Sequence, residues 1–180
     1  MAEKKKSKKG LIVIVAIIAV ALAIGIGYLI YTGVGVQYSS AINMIEDGNF
    51  KDGYDKLIEI AEGNDDYKDT NEILYTRAIE LIETGDLENK QAAYKMLTPI
   101  SGYKYADEIM YYLWVEDVYD PEDDVSFEQA DGFMAMIPED YNGPFADEVK
   151  QFRGDIKKSM DELNRKKYEA AMEAEQEMLN

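Results

Sequence analysis

The densest set of potential ligands in this sequence is Asp120, Glu122, Asp123 and Asp124, four carboxylates crowded around Pro121. Hard oxygen donors at that density are the chemistry of a divalent cation such as Ca²⁺. The spacing departs from a helix–loop–helix calcium hand. Counted from Asp120, the sixth position is Val125 rather than glycine, and the twelfth is Asp131 rather than glutamate. The competing reading is an acidic, solvated loop between two helices. Both readings stand at this point.

The rest of the catalytic repertoire is thin. The chain has no cysteine and no histidine. Thiol nucleophiles, thiolate metal sites and disulfides are therefore excluded, as are the usual general base near neutral pH and the usual zinc ligand. No glycine-rich phosphate loop precedes a helix. The remaining carboxylates fall mostly at helix ends and on polar faces, where they are solvated and complement helix N-termini. No catalytic residue stands out, no cofactor is implied, and an enzyme is not expected.

The third chemistry is aromatic. Fourteen tyrosines and one tryptophan are many for 180 residues. Tyr75, Tyr94, Tyr103, Tyr111, Tyr112 and Trp114 gather in one stretch. Tyrosine serves well as mortar between helices, with its apolar body inside and its hydroxyl at the rim. The same residues could equally line a groove rimmed by acids, suited to a basic or extended peptide.

What must position these residues follows from charge and periodicity. The formal net charge is −17, from 19 basic and 36 acidic residues. Five of the lysines lie in residues 1–10, and no charge follows until Glu46. The remainder is thus more acidic than the whole, which argues against nucleic acid as a partner. Residues 11–31 form an uncharged apolar run, about 30 Å long as a helix. It predicts a transmembrane helix. The lysines on its N-terminal side predict a cytoplasmic tail over 1–10 and an extracytoplasmic remainder, a single-pass cell-membrane protein. A cleaved signal peptide is the rival, but its apolar core is usually only ~7–15 residues. Ala19, Ala23 and Gly27 form a small-residue stripe that could pair two such helices into a homodimer.

Beyond this segment the sequence repeats itself. Ala41–Phe50 aligns with Ala78–Leu87: Ala41, Ile42, Ile45, Glu46 and Gly48 recur as Ala78, Ile79, Ile82, Glu83 and Gly85. Each describes a helix with one apolar stripe and a glycine stop. Tyr54, Leu57 and Ile60 recur as Tyr94, Leu97 and Ile100. A third element recurs three times, with Tyr67, Tyr103 and Tyr141 in register, and Glu72, Glu108 and Glu148 behind them, the last after a two-residue insertion. Asp69 with Glu72, and Ser126 with Gln129, have capping-box spacing, and Pro144 suits a first helical turn. Helices are predicted over residues 36–47, 51–62, 70–84, 88–100, 106–119, 127–137 and 144–178. No segment alternates with period two, so an all-α fold is expected. Val149, Phe152, Ile156, Met160 and Leu163 make an apolar stripe suited to covering the end of the array. The segment beyond Leu163 is charged, with a weaker stripe through Tyr168, Ala171, Met172 and Met178.

Two-helix units of this length, with a terminal tyrosine turn, resemble tetratricopeptide repeats. More specifically they resemble a divergent version, with Tyr-Lys-Asp-type turns, in membrane-anchored surface proteins of Gram-positive bacteria. The resemblance covers roughly residues 38–152, and the usual tryptophan and proline positions of the 34-residue repeat are not met. It implies a helix-hairpin solenoid over 32–143, capped by 144–180, whose business is holding a protein or peptide partner. The expected whole is a transmembrane helix followed by a TPR-like solenoid and a long C-terminal helix, acting as an extracytoplasmic scaffold. An acidic envelope module binding Ca²⁺ or basic wall components is the second expectation.

Overall fold

The computed structural model describes residues 33–64 and 66–178. Seven α-helices and one 3₁₀ turn occur among them, and no strand. The chain divides into two compact units, Met1–Gly63 and Asn64–Asn180.

In the first unit the described chain is helical over residues 33–46 (α1) and again over Phe50–Gly63 (α2). The turn between them is the expected glycine stop. Gly48 adopts φ +82°, which L side chains rarely take. The amide of Gly48 donates to the Ile45 carbonyl at 3.1 Å, and that of Asn49 donates to Met44 at 2.8 Å, satisfying two carbonyls at the end of α1. The two helices then approach closely. A Cβ added to Gly53 would lie 2.6 Å from Ile45 Cγ1 and 3.0 Å from the Ala41 carbonyl oxygen. Ala41 is fully buried, as is Leu57.

In the second unit α3 (Thr70–Glu83) packs on α4 (Leu87–Leu97), α5 (Ala106–Val118) on α6 (Asp124–Met134), and α6 on α7 (Ala146–Met178). Gly85 repeats the role of Gly48, at φ +78°. Asp86 then caps α4, its Oδ1 accepting from the Asn89 amide at 2.9 Å. The expected helix over 88–100 ends early as an α-helix. Pro99 lacks the amide that an α-helix would use, and Thr98–Ile100 tightens into a 3₁₀ turn. The core includes fully buried side chains from α3, α4, the 3₁₀ turn, α5 and α7: Leu74, Leu97, Ile100, Ile109 and Ile156. Each contributes about 1.5–3 kcal/mol by leaving water.

The repetition seen in the sequence is geometric. Lys68 and Lys104 both sit at positive φ, 52° and 49°. Tyr67 and Tyr103 accept at their carbonyls from the first amides of the next helices, Thr70 at 3.1 Å and Ala106 at 3.0 Å. Glu72, Glu108 and Glu148 are each the third residue of their helix, in α3, α5 and α7. The architecture is all-α and helical-repeat-like.

Several expectations require correction. The predicted transmembrane helix over 11–31, the lysine tail over 1–10 and the Ala19/Ala23/Gly27 pairing stripe lie outside the described residues. Among those described, no helix is long and apolar enough to cross a membrane. The 33-residue α7 has the length, about 50 Å, but carries charge along its whole course. The expected fold is therefore revised to an all-α array with no membrane-spanning helix among the described residues.

The capping boxes are also revised. Asp69 makes no side-chain cap hydrogen bond, and Glu72 is engaged elsewhere. Around Ser126 the helix opens a turn earlier than predicted. Asp123 is its N-cap, accepting from the Val125 amide at 3.0 Å, and Ser126 is already helical. Pro144 precedes α7 by two residues, and Phe145 at φ +63° makes the entry.

Candidate partner-binding surface

The six aromatic residues singled out by the sequence separate into two groups. Tyr75 and Tyr112 are core: 6% and 5% exposed. Tyr75 meets the Tyr103 ring edge-on at 5.9 Å, and Tyr112 stacks on Phe145 at 5.4 Å with the planes 12° apart. Burial, with Glu116 and Glu148 nearby, pushes the Tyr112 phenol up to about 12. Tyr103 is half-buried but committed. Its hydroxyl donates to Glu72 Oε2 at 2.6 Å, Lys104 pairs with the same oxygen, and the Lys104 ammonium lies 5.2 Å above the Tyr75 ring. That carboxylate holds the Tyr103 proton, raising its pKa to about 12, and the two donors lower that of Glu72. These three tyrosines are mortar between helices.

Tyr94, Tyr111 and Trp114 behave differently. All are half-buried, and they lie together. Trp114 is 5.8 Å from Tyr94 on α4 and 5.6 Å from Tyr111 on its own helix. It is 5.0 Å from Phe133 on α6. The result is an aromatic tract crossing three helices, with the chain's single tryptophan at its centre. Phe133, Val118 and Met136 belong to it and were not legible as site residues. Met136 is 58% exposed, an unusual position for a large apolar side chain. One signal could have found Phe133 and Met136. With Gly132 they cluster within five residues at the C-terminal end of α6 and just beyond it, a small residue flanked by large apolar ones.

Trp114 forms a shared wall between two concavities. A cleft of about 400 Å³ opens between α4 and α5, lined by Leu87, Tyr94, Leu113 and Trp114, with Lys90 and Glu116 across it. Lys90 and Glu116 pair at 2.7 Å, tying the two helices together. Glu116 Oε2 is buried without a hydrogen-bond partner. A second groove, about 610 Å³ and mostly apolar, runs between α5 and α6 along Tyr111, Trp114, Val118, Gly132, Phe133 and Met136.

The acidic loop is shaped by hydrogen bonds of its own. Asp120 Oδ1 accepts from the Glu122 amide at 2.9 Å, and Asp123 caps α6. Ser126 Oγ lies 2.7 Å from both the Asp120 and the Asp123 carbonyl oxygens, which share its one hydrogen. Asp120, Glu122, Asp123 and Asp124 are exposed. Among the described residues no three acidic side chains come together as a metal cage. Two of these carboxylates act as backbone acceptors that shape the turn.

No protein-family model matches the chain, and no curated protein or solved structure matches it. The class that fold and surface define is therefore the helical-repeat-like, all-α protein described above.

Proposed function

We propose that this protein is a divergent tetratricopeptide-like scaffold that binds a protein or peptide partner on the aromatic tract centred on Trp114. The observation that carries this reading is the continuity of Tyr94, Trp114 and Phe133 across α4, α5 and α6, half-exposed and flanked by two grooves. Large aromatic side chains with few rotatable bonds contribute contact area at low entropic cost, which is why they dominate binding surfaces. Here they are supported from behind by a packed core and by the Lys90–Glu116 tie. The surface is thus preorganised, and a partner would bind with little reordering.

The test is photo-crosslinking from the full-length chain in its native cell. A benzophenone amino acid replacing Tyr111 should capture a saturable partner. The same probe replacing Tyr168, which is 67% exposed on the far part of α7, should not. Equal capture at both positions, or none at Tyr111, counts against the reading.

A further inference from the structure

The partner's chemistry can be read from charge and shape together, on the assumption that the Trp114 tract is the binding surface. Between Lys104 and Lys150 the chain contains no lysine or arginine, yet it holds fourteen aspartates and glutamates. That stretch supplies all of α5 and α6. The groove between them is lined by aromatic and aliphatic side chains, with Glu128 and Gln129 on the α6 wall. A cation does reach it from outside. Lys167 of α7 lies 3.4 Å from Glu128, but both side chains are about 60% exposed, so water and salt screen that pair strongly. An apolar trough with one lining carboxylate, Glu128, set between two helices that together carry seven acids and no lysine or arginine, fits a guest with the opposite pattern.

We propose that the α5–α6 groove seats a cationic amphipathic segment of a partner protein. Apolar side chains of that segment would lie along Trp114, Phe133 and Met136, and its lysines or arginines would reach out toward Glu128 and the acidic helices that flank the groove. Each half of the pattern has a separate role. The trough supplies buried apolar area, and residues at i, i+3, i+4 and i+7 of a guest helix would be its anchors. The flanking acids steer approach and reject acidic competitors. Trp114 also gives an intrinsic optical reporter, as no other tryptophan contributes emission. Gly132 gives a clean blocking position. It is helical and lines the groove, and a Cβ there meets nothing within 4 Å, so a larger side chain starts from open space at the groove.

The experiment uses the full chain and three designed sixteen-residue peptides without tryptophan. Each has leucines at helical spacing. The other positions are lysine in the first, glutamine in the second and glutamate in the third. Trp114 emission should shift saturably with the lysine peptide, at least about tenfold more weakly with the glutamine twin, and not at all with the glutamate twin. Added salt should weaken the first interaction. Gly132→Leu should abolish it while helical circular dichroism is kept. The surface double variant Glu128→Lys/Gln129→Lys should weaken it about tenfold by a different route.

Equal binding of the lysine and glutamine peptides would overturn the cationic partner while leaving the Trp114 surface intact. Binding that survives Gly132→Leu would show a counter-ion cloud on an acidic protein and overturn the groove. Binding of none would overturn the proposal. Crosslinking from Tyr111 would then decide separately whether the tract takes any partner.

Discussion

Tyr103 donates its phenolic hydrogen to Glu72 at 2.6 Å, thirty-one residues back along the chain. This bond ties the loop before α5 to the first turn of α3. It does so with a residue whose spacing to Asp69 would otherwise make it a helix cap. One consequence is a pH dependence with two edges. An ordinary phenol loses its proton near 10, whereas Tyr103 keeps its own to about 12. Its stabilising contribution is therefore complete below pH ~10 and disappears as pH rises through about 12. Glu72 is lowered by Lys104 and Tyr103, so its contribution is present above the ordinary carboxylate range and fades as pH falls through its depressed value. Chemical denaturation of the wild type and Tyr103→Phe across pH should give a stability gap that closes at both extremes. A gap that does not change with pH would refute this.

Glycines in helices should divide by surroundings. Gly53→Ala forces a Cβ against Ile45 and the Ala41 carbonyl, where the backbone cannot give way cheaply. Overpacking of about 1–3 kcal/mol outweighs the helix-propensity gain of about 1 kcal/mol, so net destabilisation is expected. Gly154→Ala in α7 meets nothing within 4 Å and should stabilise by about 0.4–1 kcal/mol. Paired thermal melts check the difference in sign.

Where α7 stops being part of the core is also measurable. Ile156 is 1% exposed and Leu163 is 4% exposed, whereas residues 164–176 are all exposed. Ile156→Ala should cost about 2–4 kcal/mol. Met172→Ala, at 42% exposure, should stay within about 0.5 kcal/mol. A large effect at Met172 in a dilute monomer would mean that the far part of the helix is packed.

The acidic loop should respond as a turn. Asp123→Ala removes the N-cap of α6 and should cost about 1 kcal/mol, and Asp123→Asn, which can still accept from the Val125 amide, should cost less. Urea midpoints separate the two. Equal losses would point to the carboxylate charge as the agent.

How far the sequence alone reached depended on how local the deciding physics was. Helix existence and most boundaries were legible, because a buried stripe, a glycine at positive φ and a following cap act within one or two turns. Gly48 and Gly85 end α1 and α3 as their spacing predicts. The stripe through Val149, Ile156 and Leu163 is buried. The equivalence of Glu72, Glu108 and Glu148 holds at the third residue of three helices. The misreadings came where two local rules competed. Asp123 and Ser126 are both competent caps, and only packing selected Asp123, leaving Ser126 5% exposed among the turn carbonyls.

The sequence by itself determined an acidic, histidine- and cysteine-free chain whose described residues are all-α and helical-repeat-like, because composition, periodicity and capping need no knowledge of distant residues. Only the tertiary structure decided which tyrosines are mortar and which are surface. Tyr111 and Tyr112 are adjacent in sequence, yet one ring flanks Trp114 at the groove and the other is buried against Phe145. The reason is that exposure is set by what packs across from a side chain. For this surface that neighbour, Phe133 beside Trp114, comes from another helix.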